Sequence, residues 1–328
     1  MPKTKDNTIL IEAIQEFKPN VKLNSIMTYI NNLKKVCREL SGKDKKDCYL
    51  GNLKWLNDFD AVMKTIDDEP LNTRKNRLIA IVVALKATEA DKDLIEKYTK
   101  EMTKLAEESD NRDKEQRLSD KQRENWIDYT ELIKLTEKLF DRIKEQGLLQ
   151  KEKLSRKEYT LFQDYILLRT YLAFTWRNDF AQMKVISTEK DDNGQDNFLL
   201  LKNGTPDKFI LNQYKTHRKY GKKMVDIPEK LSKVIKKFLR FNKSGYFLTL
   251  QDGIRAMTPN GITKAFNRLF QNELGKTIST SLLRHIVISY MRASDPTIKE
   301  REQKEKEIEN KFMHSGGMNE RYRKIKND

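Results

Sequence analysis

The chain has 328 residues, of which 65 are Lys or Arg and 49 are Asp or Glu, giving a formal net charge of +16. This excess of positive charge favours a polyanionic partner, which is DNA, RNA or an anionic membrane. The sequence has no run of about 20 apolar residues, and its N-terminal MPKTKDNTIL has no signal-peptide core. We therefore predict an intracellular protein that contacts nucleic acid and no membrane.

Apolar residues account for 37% of the chain and charged residues for 35%. The apolar share is below that of an average soluble protein, and the charged share is above it. Two dense apolar stretches, LIAIVVAL at 78–85 and YILLRTYLAF at 165–174, can still supply hydrophobic cores. Length and these stretches predict a folded, helix-rich protein of two domains.

The first hundred residues show apolar side chains at helical spacing. Residues 25–40 place theirs on one face, with Ser25 as the N-cap. A second helix opens at Asn72 or Thr73 and continues through RKNRLIAIVVAL, and a third covers 91–107. We predict a compact helical domain over residues 1–106.

This periodicity lapses at residues 107–125, EESDNRDKEQRLSDKQREN, which contain one apolar residue among many charges. Such a stretch is either the solvated face of a helix or a linker. The lapse favours a charged linker, and it places a second domain at residues 126–328.

The second domain changes character along its length. Helical patterns cover 126–145, 156–175, 229–241, about 258–273, 279–293 and 297–312. Between them, FLLLK (198–202), KFILNQYK (208–215) and KMVDIP (223–228) are short, β-prone and separated by Gly, Pro and Asn. The predicted fold is mainly α with a small antiparallel β-sheet: a helical domain followed by a mixed α/β domain.

Positive charge concentrates in this strand region. The segment from Lys202 to Lys243 holds thirteen Lys or Arg and three Asp or Glu, a local net charge of +10, and Tyr214 and Tyr220 lie among them. One interpretation of this run is a solvated surface with no binding role. A β-hairpin dense in Lys and Arg also suits a phosphate backbone, and we predict DNA or RNA contact here.

Metal and nucleotide cofactors have no visible ligands. Cys37 and Cys48 are eleven residues apart, outside any CxxC spacing, and the three histidines are scattered. A structural zinc site is therefore not expected, and two free thiols are the simplest interpretation. The sequence also lacks a GxxxxGK[ST] loop, so we expect no nucleotide cofactor.

One set of residues fits covalent chemistry at a phosphodiester. A tyrosine attacking phosphorus needs guanidinium groups to hold the phosphate and a proton donor for the departing sugar oxygen. Two arginines on apolar segments, a lysine in the basic hairpin, a late histidine and a late tyrosine occur in that order: Arg177, Lys215, Arg284, His314 and Tyr322.

This ordered set resembles the tyrosine recombinases, the phage-integrase-type family, and most closely the branch found in large DNA viruses, their satellite viruses and related mobile elements. TWRNDFAQMKV resembles the family's first arginine segment, which implies a catalytic role for Arg177, with Asp179 near the acidic position that follows. YKTHRKYG before VDIP resembles the lysine hairpin and implies Lys215. SLLRH resembles the second arginine box and implies Arg284, with His285 as its neighbour.

The end of the chain completes the resemblance. FMHS resembles the late histidine motif, which implies His314, and Tyr322 falls where the family has its nucleophile. Gly316 and Gly317 would form a joint that lets the tyrosine segment swing. The helical N-terminus, with LNTRKNRLIAIVVAL, resembles the core-binding domain that closes over DNA.

One position departs from the family pattern. The family has histidine three residues before the second arginine, and this chain has Ser281, whose hydroxyl can still hydrogen-bond a phosphate. His217 is predicted to be an exposed hairpin residue. Further DNA contacts are expected from Arg218, Lys219, Lys222, Lys223, Ser281 and His285.

The resemblance implies a site-specific recombinase or integrase. Such an enzyme cleaves and rejoins double-stranded DNA through a 3′-phosphotyrosyl link, without ATP or metal, as a homo-tetramer on two DNA sites. If the protein is viral, the host nucleus or a cytoplasmic viral factory is expected. Two alternatives stay open: a type IB DNA topoisomerase, which acts as a monomer, and a catalytically degenerate DNA-binding relative marked by Ser281.

Overall fold

The computed structural model describes residues 5–42, 48, 50–114, 118–293 and 307–311, together with 318, 321 and 324. The chain forms two compact units that divide between residues 115 and 116. Among the described helices, none combines the length and apolar character needed to span a lipid bilayer. The mainly helical fold with one small sheet is confirmed.

In the described residues of the first unit, all the regular elements are helices. Its helices are α1 (Lys5–Phe17), α2 (Leu23–Ser41), α3 (Phe59–Ile66), α4 (Leu71–Ala87) and α5 (Lys92–Lys114). Helix α4 is the centre of the unit, because the run Leu78–Leu85 is buried except for one half-buried residue and packs against α1, α2 and α5. The sequence pattern predicted α2, α4 and α5 and missed α1 and the eight-residue α3.

The stretch predicted as a linker is largely helical. Helix α5 continues to Lys114, and a short helix, α6 (Asp120–Asn125), opens the second unit. A buried serine explains the longer α5: Ser109 accepts a hydrogen bond from Lys75 (2.6 Å) and donates one to Asn72 (3.0 Å), both on α4. Sequence periodicity counts such a serine as a solvated residue, although here it packs in the interior.

The second unit surrounds one long buried helix. Its helices are α7 (Tyr129–Glu145), α8 (Arg156–Phe174), α9 (His217–Tyr220), α10 (Glu229–Leu239), α11 (Pro259–Leu274) and α12 (Thr280–Arg292), and 307–311 are also helical. A capping box at Ser155 and Glu158 starts α8, and the helix then runs through the main hydrophobic core. Its C-terminal end delivers the first candidate catalytic residue.

The three predicted strands pair antiparallel as expected, and a fourth strand that the sequence did not show makes the sheet mixed. Strands β1 (Lys184–Ile186), β2 (Phe198–Lys202), β3 (Thr205–Leu211) and β4 (Lys223–Asp226) are ordered β1-β2-β3-β4. The pairs β2–β3 and β3–β4 are antiparallel, whereas β1 pairs with β2 in parallel. A three-residue strand is too short to carry an alternating pattern, so the sequence could not show it.

Candidate active site

Arg177 lies on a sharply turned connection after α8. Thr175 ends the helix in the left-handed region, at a φ of 45°, which is rare for a β-branched residue. Its N–H still donates to the Tyr171 carbonyl at 2.7 Å. Trp176 turns inward, is fully buried and stacks on Phe180 with ring centroids 4.7 Å apart. The turn therefore buries the indole of Trp176 and leaves the next residue, Arg177, half-buried.

Hydrogen bonds from two side chains, Tyr171 and Asn178, hold this turn in place. The phenol of Tyr171 on α8 donates hydrogen bonds to the main-chain carbonyl of Arg177 (2.8 Å) and to Asn178 Oδ1 (3.2 Å). The Asn178 amide in turn donates to the carbonyl of Pro259 at 2.8 Å and lies 3.2 Å from the Thr263 hydroxyl, both on α11. The backbone at Arg177 is thus tied to two helices.

The two candidate arginines share one acidic neighbour, Asp179. Burial raises the pKa of the Asp179 carboxyl to about 6, and the nearby charges of Arg177 and Arg284 hold it below the value that burial alone would give. Arg284 lies on α12 and is only 4% exposed. The charges of both guanidinium groups therefore act on the same carboxylate.

Tyr171 responds to the same charges. Its side chain is fully buried, and its pKa is raised well above the ordinary value by burial and by the negative charge of Asp179, with Arg284 acting in the opposite direction. The phenol therefore keeps its proton and serves as a hydrogen-bond donor to the turn. It is not a nucleophile.

The sequence predicted Lys215 at the end of a β-prone segment. The structure instead places it in the connection between β3 and β4. Strand β3 ends at Leu211, and the chain then forms a loop that includes α9. Tyr214 closes this loop by donating from its phenol to the Gly221 carbonyl at 2.7 Å. Lys215 itself is exposed, and His217 is half-buried at the start of α9, with Nδ1 2.9 Å from the Tyr214 carbonyl.

The pKa of Tyr214 is affected by a charge on the turn that carries Arg177. Burial raises its pKa first, and the negative charges of Tyr220 and Asp179 raise it further. The electrostatic environment of Tyr214, the residue immediately before Lys215, therefore includes the Asp179 carboxylate. Lys215 is the next residue in the chain after Tyr214.

Four other basic residues, Arg218, Lys219, Lys222 and Lys223, follow Lys215 in the loop and at the start of β4. Arg218 and Lys219 are exposed, as expected for residues that contact a phosphate backbone. Lys222 instead forms an ion pair with Asp192, with Nζ and Oδ2 2.5 Å apart. Lys219 and the half-buried Lys223 lie over the ring of Tyr220, 5.2 and 5.7 Å from its centroid.

Helix α12 presents the serine and the arginine of the second box on one side. Ser279 caps the helix by accepting from the Leu282 N–H at 3.3 Å. Ser281 is exposed in the first turn, three residues before Arg284, so the two lie on the same face. His285 is buried at 9% exposure, on the side of the packing core.

His314 and Tyr322, with Gly316 and Gly317, lie outside the described residues. Described residues near both ends of that stretch contact the second unit. The Lys311 carbonyl accepts a hydrogen bond from the Trp176 indole. The Lys324 N–H donates to Ser289 Oγ on α12 at 2.7 Å.

Sequence reasoning missed three residues that shape the site: Tyr171, Asn178 and Asn197. Asn197 is buried just before β2, and its side-chain amide donates to the Asp179 carbonyl at 3.0 Å. A single Asn beside a strand is also a common turn residue, so its type alone gave no signal. The ND pair directly after Arg177 in TWRNDF was the one available hint for Asn178.

Within the part of the chain that the structure describes, no group of three or more His, Cys, Asp or Glu side chains could hold a metal ion. Cys37 and Cys48 are both buried and are not joined in a disulfide.

No family model matches the chain, and no curated protein matches it in sequence. Three solved structures are similar. XerA recombinase has a TM-score of 0.37 and 12% identity, over 98% of this chain and 94% of that chain. The Tn1549 transposon integrase in complex with transposon right end DNA has a TM-score of 0.55 and 12% identity, over 97% and 95%. XerH site-specific recombinase bound to its difH substrate, in a pre-cleavage complex, has a TM-score of 0.52 and 16% identity, over 96% and 81%. The chain shares the fold of the last two proteins.

Proposed function

We propose that this protein is a tyrosine recombinase, a site-specific DNA recombinase or integrase that cleaves and rejoins DNA strands through a 3′-phosphotyrosyl intermediate at Tyr322. The observation that carries the proposal is that the charges of Arg177 and Arg284 both act on the carboxyl of Asp179. These arginines come from distant parts of the sequence, and a shared anionic substrate explains why one fold brings two cations together.

The two arginines would bind the scissile phosphate. A guanidinium presents parallel N–H donors that match two phosphate oxygens, and it stays protonated at any physiological pH. The pentacoordinate transition state carries more negative charge on its non-bridging oxygens than the ground state does. Two preorganised cations therefore stabilise the transition state more than the bound substrate.

Lys215 would act as the general acid. Its side chain is exposed, and the Asn197 amide joins the carbonyl of Gln213, two residues before it, to that of Asp179, two residues after Arg177, which supports its reach to a phosphate held by the arginines. As the Tyr322 oxygen bonds to phosphorus, the bond from phosphorus to the 5′ oxygen breaks, and that oxygen takes a proton from Lys215. The phenol proton is lost to water, and His314 helps to stabilise the transition state. Attack by a 5′-hydroxyl reverses each step and rejoins the strand.

The segment that carries His314 and Tyr322 is attached close to the arginines. Trp176, which precedes Arg177, binds the carbonyl of Lys311, three residues before His314. Ser289, on the helix of Arg284, binds the N–H of Lys324, two residues after Tyr322. These contacts support a nucleophile segment that belongs to the same centre.

Double-stranded DNA is the proposed substrate, bound as a homo-tetramer on two sites. The net charge of +16 and the exposed Arg218 and Lys219 support a polyanionic partner, with Ser281 on the face of Arg284 as a further phosphate contact. The Tn1549 integrase and XerH structures both contain DNA. The motif resemblance favours an element's own ends as the target sites, in a large DNA virus, a satellite virus or a related mobile element.

A suicide substrate tests the proposal. A duplex with a nick near the cleavage site loses a short 5′-hydroxyl fragment and traps the covalent adduct, which a denaturing gel resolves. Wild-type protein is expected to form the adduct and Tyr322→Phe to form none. Tyr290→Phe, a change at an exposed tyrosine on α12, is the matched control and should keep the adduct. An unchanged adduct yield with Tyr322→Phe refutes the assignment of the nucleophile.

A synapsis assay separates recombinase from topoisomerase. A tetramer holding two duplexes migrates as a distinct complex on a native gel, whereas a monomeric topoisomerase relaxes supercoiled plasmid without pairing sites. Specific DNA binding with no adduct under any condition would identify a degenerate relative instead.

A further inference from the structure

Asn197 is a buried polar residue to which neither the motif resemblance nor the proposed mechanism gives a role. It is 9% exposed and lies at the end of the connection between β1 and β2, immediately before Phe198. A buried amide is costly unless its donors and acceptors are satisfied, so the partners of this side chain define its purpose.

The Asn197 side chain makes four hydrogen bonds, all to main-chain atoms. Its Nδ2 donates to the carbonyls of Asp179 (3.0 Å) and Gln213 (2.9 Å). Its Oδ1 accepts from the N–H groups of Asn212 (3.0 Å) and Gln213 (2.8 Å). An amide has two N–H donors and two acceptor lone pairs, so its capacity is fully used.

These four bonds join two segments that carry candidate catalytic residues. Asp179 lies two residues after Arg177, and Gln213 lies two residues before Lys215. Because the partners are main-chain atoms, the bonds set the position of the backbone and not the rotamer of one side chain. Asn197 is thus a direct bridge between the arginine turn and the start of the lysine loop.

A second set of contacts holds both ends of the loop that carries Lys215 to the connection between β1 and β2. The Asn212 amide donates to Asp192 Oδ1 at 2.6 Å and to the Asp196 carbonyl at 2.8 Å. Lys222 forms its ion pair with the other Asp192 oxygen. Burial favours a higher pKa for Asp192, but the hydrogen bonds from Lys222, Gly194 and Asn212 lower it overall, so the carboxylate stays charged and holds the lysine.

We infer that Asn197 is a positioning residue that sets the distance between Arg177, which holds the scissile phosphate, and Lys215, which protonates the leaving 5′ oxygen. The inference rests on the proposed function. A general acid works only within hydrogen-bond reach of the atom it protonates, and a displacement of about 1 Å can slow a reaction about 100-fold. In the same network, Lys222 serves as a brace for the loop and not as a DNA contact.

The leaving group offers a selective test. In a substrate whose bridging 5′ oxygen is replaced by sulfur, the bond from phosphorus to sulfur breaks and a thiolate departs. A thiol has a pKa of about 8.5, so the thiolate leaves without a proton from Lys215. A variant whose only defect is a misplaced general acid should therefore cleave this substrate at close to the wild-type rate.

The experiment compares adduct formation on the oxygen and the sulfur substrate for wild-type protein and three variants. Asn197→Ala is expected to slow cleavage of the oxygen substrate about 100-fold and that of the sulfur substrate less than threefold. Lys215→Ala should show the same selective rescue. Asn193→Ala is the matched control, because this exposed Asn in the same connection bonds only to residues 195 and 196 and should leave both rates unchanged.

Each other outcome has a definite meaning. Equal slowing of Asn197→Ala on both substrates, or no slowing at all, overturns the positioning role. If Asn197→Ala does not fold, as judged by thermal unfolding, Asn197→Ser takes its place under the same criteria. If Lys215→Ala is not rescued by sulfur, the general-acid assignment is wrong. Absence of any wild-type adduct on either substrate refutes the proposed function itself.

Discussion

The indole Nε1 of Trp176 donates a hydrogen bond to the main-chain carbonyl of Lys311, 135 residues later in the chain. Trp176 directly precedes Arg177, and Lys311 is three residues before His314. Nearby, Ile308 is 1% exposed and packs against Ile288 of α12 and the half-buried Met291. The segment that leads to the proposed nucleophile is therefore attached to the two elements that carry the arginines.

The attachment at Ser289 predicts a catalytic effect without a folding effect. Ser289→Ala removes the acceptor of the Lys324 N–H. A hydrogen bond of this kind contributes about 1 kcal/mol, so we expect adduct formation to slow about fivefold while the melting temperature changes little. The measurement is the single-turnover rate on the suicide substrate.

The control for this variant is Ser187→Ala, at an exposed serine directly after β1. It should leave the rate within twofold of wild type. A rate for Ser289→Ala equal to that of the control would show that the Lys324 contact has no catalytic importance.

Lysine cannot replace either arginine. Arg177→Lys and Arg284→Lys keep the positive charge but lose the planar fork that matches two phosphate oxygens. We expect each change to slow adduct formation about 100-fold or more, with a much smaller loss of DNA affinity, because the lost contact is strongest in the transition state. Single-turnover cleavage and filter binding on the same duplex measure the two effects.

Arg240→Lys provides the comparison. Arg240 is an exposed residue at the end of α10, and its guanidinium bonds to the carbonyls of Leu149 and Lys151. Its cleavage rate should stay within twofold of wild type. Cleavage rates for both site variants equal to that of Arg240→Lys would remove them from the catalytic centre.

Asp179 should make the protein less stable as the pH rises, which is the opposite of the usual effect of an acidic residue. Its folded-state pKa is about 6, above the ordinary 3.8, so between these values the folded protein holds this proton more readily than the unfolded chain. Its contribution to stability is therefore present below pH 4, declines as the pH rises to about 6, and stays lost above that. Asp179→Asn should stabilise the protein at pH 7.5 by on the order of 2 kcal/mol relative to its effect at pH 4.

Denaturant unfolding of wild type and Asp179→Asn at several pH values measures this difference. Asp164, whose pKa burial also raises to about 6 against the opposing charge of Arg268, titrates in both proteins and cancels in the comparison. A stability difference between the two proteins that does not change with pH would mean that Asp179 is charged throughout the range.

The ion pair between Asp164 and Arg268 leads to a prediction about stability and not about catalysis. Arg268 Nη2 lies 2.6 and 2.8 Å from the two carboxylate oxygens of the buried Asp164. Arg268→Met leaves that carboxylate unpaired and should cost about 3 kcal/mol at pH 7.5. Adding Asp164→Leu removes the unpaired charge and should recover most of the loss, as measured by urea unfolding.

A double-mutant cycle decides the interpretation. If the two changes add without recovery, the cost of Arg268→Met comes from lost packing of its aliphatic stem and not from an unpaired carboxylate.

Local pattern predicted the regular elements well where the hydrophobic signal was long. Helices α2, α4, α7, α8 and α12 carry apolar side chains at helical spacing, and FLLLK matches β2 residue for residue. The pattern failed for the three-residue β1 and for the end of β3, where the chain leaves the sheet four residues before Lys215. Both depend on pairing with a distant strand, which sequence spacing does not record.

The sequence by itself determined which residues can do the chemistry: two arginines, a lysine, a histidine and a tyrosine, in a fixed order on a strongly basic chain. Only the tertiary structure decided that the charges of Arg177 and Arg284 both act on Asp179, that Asn197 bridges to the lysine loop, and that Lys222 is held by Asp192. The reason is physical. Residue type specifies charge and hydrogen-bonding capacity, whereas the partner that satisfies a buried polar group is chosen by the packing of segments far apart in the chain.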